Sequence, residues 1–426
     1  MFTLLRFTIT LVAAFACFAG VQDEFGPERK QLLIASFEEV WTTVKDKHYD
    51  PALGGLNWQG VYEKYSPRIE KAASDEEGRD VMNEMLGLLG QTHIGVIPAS
   101  AYDDLRGGNT GDHTPGIELR VLDGRAIVTL VEAKSPAALL GVAPGWEILR
   151  VDGKPVAPII ERVEEIYAKT TLKDLYSARA VESLIVGQPS QSVEIEFNDG
   201  KDVKTLKLNR IAPKGESVTF GSMPSARFWV ETSYTKDDVR IIKFNIWLNP
   251  EAVASAFSEI MNEAEKVRGF IIDLRGNPGG IGGMAMGAAG WFTSQKGLKL
   301  GTTFLRGATL NFVVSPRPNA TNAPLAILVD GCSASTSEIF AGGMQDLKRA
   351  RIFGTPTAGA ALPSAFARLP NGDGFQYILA NYISEGGKPL EGLGVTPDEI
   401  IAPTQADLLD GKDPILDRAI AWIKSN

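Results

Sequence analysis

The stretch LVDGCSASTSEIFAGGMQD, Leu328 to Asp346, carries four hydroxyls within five residues: Ser333, Ser335, Thr336 and Ser337. An apolar strand pattern runs into it and a helical pattern leaves it, so the hydroxyls sit at a helix N-terminus. Free N–H groups and the helix dipole there favour negative charge, which suits a developing oxyanion. The same residues also read as a capping box, Ser335-x-x-Glu338, in which Ser335 would only satisfy the first turn. On this segment alone both readings stand. A nucleophilic serine needs a base. The chain has three histidines, His48, His93 and His113, and a lysine deprotonated by burial is the other option. His93 follows a helix end in LLGQTHIGV. His48 lies near a helix end in KDKHYDP, and His113 in a Gly/Asp loop. Taken singly, each also suits a structural or surface role.

A second turn, DLRGNPGGIGG from Asp273 to Gly283, follows the strand GFII. Repeated glycines let backbone N–H groups approach a bound group closely. Its Gly280-x-Gly282-x-x-Ala285 mimics a dinucleotide fingerprint, but that motif wants an acidic residue about 20 positions on. No Asp or Glu lies between Gly276 and Ala320. An oxyanion-binding loop or a plain tight turn remains. The sequence has no H-E-x-x-H, G-x-S-x-G or Walker motif.

These turns must be held by larger elements. At 426 residues the chain is too long for one ordinary domain. Hydrophobic residues make up 44% and charged residues 22%, a globular composition, and the net charge of −9 argues against nucleic acid as a partner. Residues 29–98 read as helical: Leu33, Phe37, Val40, Trp41 and Val44 recur at helical spacing, and a second helix opens on Ser74-Asp75-Glu76-Glu77. Residues 99–113 read as loop. From Gly116 the pattern becomes β-rich, with a hairpin signal at Asp123-Gly124, a short helix capped by Ser135, and a longer helix near 157–186. From 212 onward two buried-type strands, VRGFIIDLRG and APLAILVDG, each precede a Gly- or Ser-rich turn and a helix, predicting a layered α/β core.

The first 20 residues, with Arg6 and an apolar run from Phe7 to Phe18, have the pattern of an export signal, and the run is short for a membrane span. Cys17 lies inside it, where a lipid anchor is not favoured because Ala14 stands where leucine is usual. The other cysteine is Cys332, so no intrachain disulfide framework and no cysteine-based zinc site is expected.

Together these segments resemble the exported serine peptidases of the tail-specific (C-terminal processing) and tricorn-core group. DLRGNPGG resembles that group's oxyanion loop, LVDGCSASTSEIFAGGMQD its nucleophile motif, and GTPTAG and GVTPD its later landmarks. The segment from GIELRV to VDGKPV resembles a PDZ domain. The resemblance implies an α/β multidomain chain: an export signal over 1–20, a helical N-terminal domain over 25–110, a PDZ-like β-rich domain over 112–210, and a catalytic core of the ClpP/crotonase-like type over 211–426. It implies Ser335 as nucleophile and the N–H groups of Gly280 and Thr336 as oxyanion donors. Ala360 stands where the processing proteases carry a lysine base. The tricorn-like branch uses a histidine instead, which points to His93, with Glu391 to orient or polarise the site and Thr92 as a bridging hydroxyl; Gln91 and Thr92 replace the Asp and Ser of that branch. Peptide C-termini would be held near Gly116, Ile117 and Glu118, although Gly145-Trp146 replaces a usual Gly-Asp.

The implied activity is that of an exported serine endopeptidase hydrolysing peptide bonds of proteins or peptides, in the periplasm or outside the cell. No cofactor, metal, nucleic acid or membrane span in the mature chain is implied. The alternative is a catalytically inactive, PDZ-bearing peptide-binding protein.

Overall fold

A computed structural model describes residues 25–101, 112–262 and 264–426. The expected export signal, Cys17 and most of the 99–113 loop lie outside them. The N-terminal segment builds three helices: α1 (Pro27–Lys47), α2 (Trp58–Lys71) and α3 (Asp75–Gly87). Their shared core is the periodic set read from the sequence, Leu33, Phe37, Val40, Val44, Val81, Met82, Met85 and Leu86. Ser74 caps α3 by accepting the Glu77 N–H at 3.1 Å. The expectation of helical character through residue 98 is corrected at its end, where the chain turns after α3 and forms a short strand, β1 (Gly95–Ile97). A three-residue strand offers too little alternation to register as one, and its partner lies far along the chain.

The middle unit contains β2 (Ile117–Leu122), β3 (Arg125–Val131), α4 (Pro136–Leu139), β4 (Glu147–Val151), β5 (Lys154–Pro155), α5 (Ala157–Tyr167), α6 (Lys173–Ile185), β6 (Ser192–Asn198) and β7 (Val203–Asn209). Its sheet runs β2-β3-β4-β6-β7, which leaves β2 on an edge. Asp123 and Gly124 both have positive φ, as the hairpin signal requires. The single helix expected near 157–186 is two helices, α5 and α6.

The C-terminal block begins with β8 (Glu216–Val218), β9 (Ala226–Phe228), β10 (Val230–Tyr234) and β11 (Val239–Phe244). It continues through α7 (Pro250–Ile260), β12 (Gly269–Asp273), α8 (Gly283–Ala289), β13 (Lys299–Leu305), β14 (Ala308–Val313), β15 (Leu325–Val329) and α9 (Thr336–Asp346). It closes with β16 (Arg351–Gly354), β17 (Ser364–Arg368), β18 (Gly374–Ile378), β19 (Ala380–Ser384), β20 (Glu399–Ile400), α10 (Gln405–Leu409) and α11 (Pro414–Ser425). The main sheet runs β10-β11-β12-β15-β16-β20, parallel except for β10. Every residue of β12 and β15 is buried, which is why both read as unbroken apolar runs. Phe257 of α7, Ala285 of α8 and Phe340 of α9 pack on one face of this sheet. Ile415, Ala419 and Ile423 of α11 cover the other.

The blocks interlock. β17 and β18 form a hairpin that pairs with β1, so Leu369 and Phe375 complete the core of the N-terminal helices. Asp373 in the hairpin turn accepts from Arg79 at 2.7 Å and from the Ala99 N–H at 2.8 Å. The core of the middle unit in turn includes Cys332, Ala334, Ala358 and Ala360 of the C-terminal block.

Candidate active site

The turn between β15 and α9 lies at the C-terminal edge of the parallel sheet, where open α/β sheets bind ligands. Three of its four hydroxyls are committed. Ser333 donates to the Leu274 carbonyl at 2.7 Å. Ser337 donates to the Asn277 carbonyl at 3.0 Å while accepting the Trp247 indole N–H at 3.0 Å. Thr336 donates to the Gly280 carbonyl at 2.9 Å. The Ser335 hydroxyl donates to no acceptor among the described residues; it stands in a capping-box arrangement with Glu338. From 331 to 344, Ser335 alone is not buried. Its backbone has φ 56° and ψ −116°, a conformation costing a non-glycine residue about 1–3 kcal/mol.

The glycine turn after β12 presses against this serine. A Cβ on Gly279 would stand 2.6 Å from the Ser335 Cβ and 2.9 Å from the Thr336 nitrogen. One on Gly280 would stand 2.4 Å from the Trp247 carbonyl oxygen. Only glycine permits this approach, at φ +98° and +139° respectively. Asn277 shapes the turn: its side chain bonds the Phe244 carbonyl at 2.9 Å and the Gly279 N–H at 3.0 Å. Among the described residues no hydrogen bond uses the N–H of Gly280 or Thr336. An apolar cavity of about 310 Å³ begins at Ile281, the next residue, and runs between α7 and α8 past Val253, Phe257 and Trp291 to Arg317.

His93 belongs to a second constellation. Thr92 donates its hydroxyl to Glu391 Oε2 at 2.9 Å and its N–H to Oε1 at 2.9 Å. The same hydroxyl lies 2.8 Å from His93 Nδ1. Its single proton goes to the carboxylate, so it accepts from Nδ1–H, and that tautomer leaves Nε2 unprotonated. His93 keeps some exposed surface but lies deep among protein atoms. Burial, and secondarily Arg179, pushes its imidazole down to about 4, so it is neutral at pH 7. Burial raises the Glu391 carboxyl, and its three hydrogen-bond donors partly offset the rise. His93 also has positive φ, 56°.

Two adjacent N–H groups join the constellations. Glu391 Oε2 accepts from the Ala361 N–H at 3.0 Å. Ala360 accepts the Ser335 N–H on its carbonyl at 2.8 Å and donates its own N–H to Glu338 Oε2 at 3.0 Å. No hydrogen bond joins His93 directly to Ser335 among the described residues.

The other histidines are engaged elsewhere. His48 is buried; Nδ1 accepts the Asp50 N–H at 3.1 Å and Nε2 meets Gln91 Oε1 at 2.8 Å. Gln91 then donates to the Tyr49 hydroxyl at 3.0 Å, which pins the segment that carries Thr92 and His93. His113 contacts Asp112 and pairs its backbone with Gly187. Ile117 and Glu118 open the edge strand β2, with Gly116 just before it, apart from this cluster. From that strand Arg120 reaches Asp330 at 2.7 Å, and the other Asp330 oxygen holds the N–H groups of Gly276 and Cys332. Sequence reasoning named Glu338 only as a cap and missed Gly279, Asn277 and Asp330. Among the described residues no group of three or more His, Cys, Asp or Glu side chains could hold a metal ion.

Known proteins resemble this chain in sequence and in fold. The sequence pattern described as Peptidase family S41 matches residues 238–401, and that of the Tricorn protease C1 domain matches 35–87. A carboxyl-terminal-processing protease of Picosynechococcus sp. is 25% identical over 402 residues, covering 88% of this chain and 86% of that one. The solved photosystem II D1 C-terminal processing protease has the same fold (TM-score 0.57, 22% identity, covering 90% of this chain and 97% of that one). So does mature CPAF (TM-score 0.64, 14% identity, 93% and 97%). Fold and matched motifs define a serine-type peptidase, a hydrolase of peptide bonds. Residues 238–401 carry this chain's likeness to peptidase family S41.

Proposed function

We propose that the chain is an exported serine endopeptidase in which Ser335 is the nucleophile and His93 the general base. Ser335 Oγ attacks the scissile carbonyl carbon while His93 Nε2 takes its proton. The N–H groups of Gly280 and Thr336 hold the oxyanion. The tetrahedral intermediate then collapses, and His93 returns the proton to the leaving amine. Glu391, acting through Thr92, fixes the imidazole tautomer and steadies the imidazolium. The observation that carries this reading is the chain Glu391–Thr92–His93, tied by Ala361 to the residue that holds the Ser335 N–H. The apolar cavity one residue past Gly280 would receive an apolar side chain of the substrate. Export rests on the signal pattern of residues 1–20. The middle unit acts as a PDZ-like binder of peptide C-termini, a role supported by the edge position of β2.

A second reading, an inactive peptide-binding protein, is favoured by the lack of a direct His93–Ser335 hydrogen bond. Such bonds often tighten only on substrate binding. Labelling with a serine-reactive phosphonate followed by peptide mapping separates the two. Modification is expected at Ser335, absent in Ser335→Ala and strongly reduced in His93→Ala. No labelling of the wild-type chain would favour the inactive reading. Labelling that survives His93→Ala but fails in His48→Ala would move the base to His48.

A further inference from the structure

Glu338 is fully buried, and four donors converge on its two carboxylate oxygens. Thr357 Oγ1 and the Gly359 N–H reach Oε1 at 2.5 and 2.7 Å. The N–H groups of Ser335 and Ala360 reach Oε2 at 2.9 and 3.0 Å. Three of the four are backbone N–H groups that only donate, and the anion accepts all four, whereas a protonated carboxyl would have only the Thr357 hydroxyl to donate to. Among the described residues no ion pair supports it. Its stabilisation comes from those donors and from its place in the first turn of α9. A buried carboxylate without a counter-ion is costly unless hydrogen bonds satisfy it, as the four donors do here.

We propose that Glu338 is a positioning residue of the catalytic centre: its carboxylate fixes loop 357–361 against the nucleophile turn and so sets the geometry between Ser335 and the Glu391–Thr92–His93 chain. One side of this loop is held by Glu338 through Gly359 and Ala360. The other side is held by Glu391 through Ala361. Ser335 therefore meets His93 through one stretch of backbone clamped between two carboxylates. The groups facing Glu338 from α9 and from the loop are uncharged hydroxyl and amide donors. The ionisable group holding the next loop residue is Glu391. Burial pushes the Glu338 carboxyl up to about 7, with the four donors pulling it back. The clamp is thus complete above that pH and loosens as pH falls through it, well before His93 protonates near 4.

The inference rests on the proposed function, and the phosphonate separates the two: absence of wild-type labelling sinks the reading itself. Given labelling, active sites are titrated with the phosphonate and kcat is expressed per titrated site, which removes any loss of folded protein. Glu338→Gln is expected to lower kcat per site about 100-fold, the effect of a misplacement of about 1 Å, with KM changed less than about 3-fold. Its residual activity loses the acid limb near pH 7 and keeps the lower one. Should Glu338→Gln fail to fold, Thr357→Val decides. Removing one donor destabilises the anion, so the acid limb moves to higher pH, and Thr357→Ser restores it. An unchanged kcat per site in Glu338→Gln, or an acid limb that neither variant moves, overturns the proposal.

Discussion

Two residues in this site hold backbone conformations that their types disfavour. Ser335 and His93 both have φ of 56°, and such strain persists only where surrounding bonds over-determine it. At Ser335 those bonds run from its N–H to the Ala360 carbonyl and Glu338. At His93 the neighbouring Thr92 is fixed through both its N–H and its hydroxyl to Glu391. Removing the Thr92 hydroxyl leaves Nδ1–H without its acceptor and frees the ring to take the wrong tautomer. Thr92→Val is expected to lower kcat about 10- to 100-fold, part of the roughly 10²–10⁴ that a general base supplies. Thr92→Ser should stay close to wild type, with steady-state kinetics as the check. Ala360→Lys tests the base from the other side. Ala360 is 5% exposed and packs with Cys332, Ala334 and Ala358, so a long side chain overfills the site at about 1–3 kcal/mol. Activity should not rise and Tm should fall; a gain in activity would show that a lysine there can replace His93.

The strand–turn–helix around Ser335 and the glycine turn after β12 work as a pair of surfaces in contact. Gly279→Ala drives a Cβ against the Ser335 Cβ and the Ala334 carbonyl. Hydrolysis and phosphonate labelling should both be lost, with stability reduced by about 1–3 kcal/mol in denaturant titration. This pair was largely legible in the sequence, because strand, turn and cap are local signals. Ser74 as the cap of α3 and Asp123-Gly124 as a hairpin were legible for the same reason. The Glu338 clamp was not. Ser-x-x-Glu announces a cap, yet the donors that define its larger role come from Thr357, Gly359 and Ala360, 19–22 residues downstream. The Thr92–Glu391 contact spans 299 positions. Neither periodicity nor spacing can report it, and only the resemblance to related peptidases brought those residues together beforehand. The short β1 and the break between α5 and α6 escaped notice because tertiary pairing fixes them more than local propensity does.

Across the whole molecule, Arg120 of the middle unit and Asp330 of the turn before α9 form an ionic link between two cores. Burial alone would raise the Asp330 carboxyl, but Arg120 and the N–H donors outweigh it and hold it below its ordinary value. The contribution to stability is therefore present above about pH 4 and is lost as pH falls through the depressed value. Arg120→Ala leaves Asp330 without its cation, and removing one partner of such a pair costs about 3–5 kcal/mol. Urea unfolding at pH 7 should show the loss, and the difference from wild type should shrink in acid. The hairpin that pairs with β1 has a consequence in time rather than in energy. The segment bearing His93 leads directly into β1, and β1 finds its partner only in residues 374–378. Glu391 comes later still. On the proposed reading, a growing chain acquires the helix of Ser335 before it can order His93, so the proposed pair assembles only once nearly all of the chain has been made.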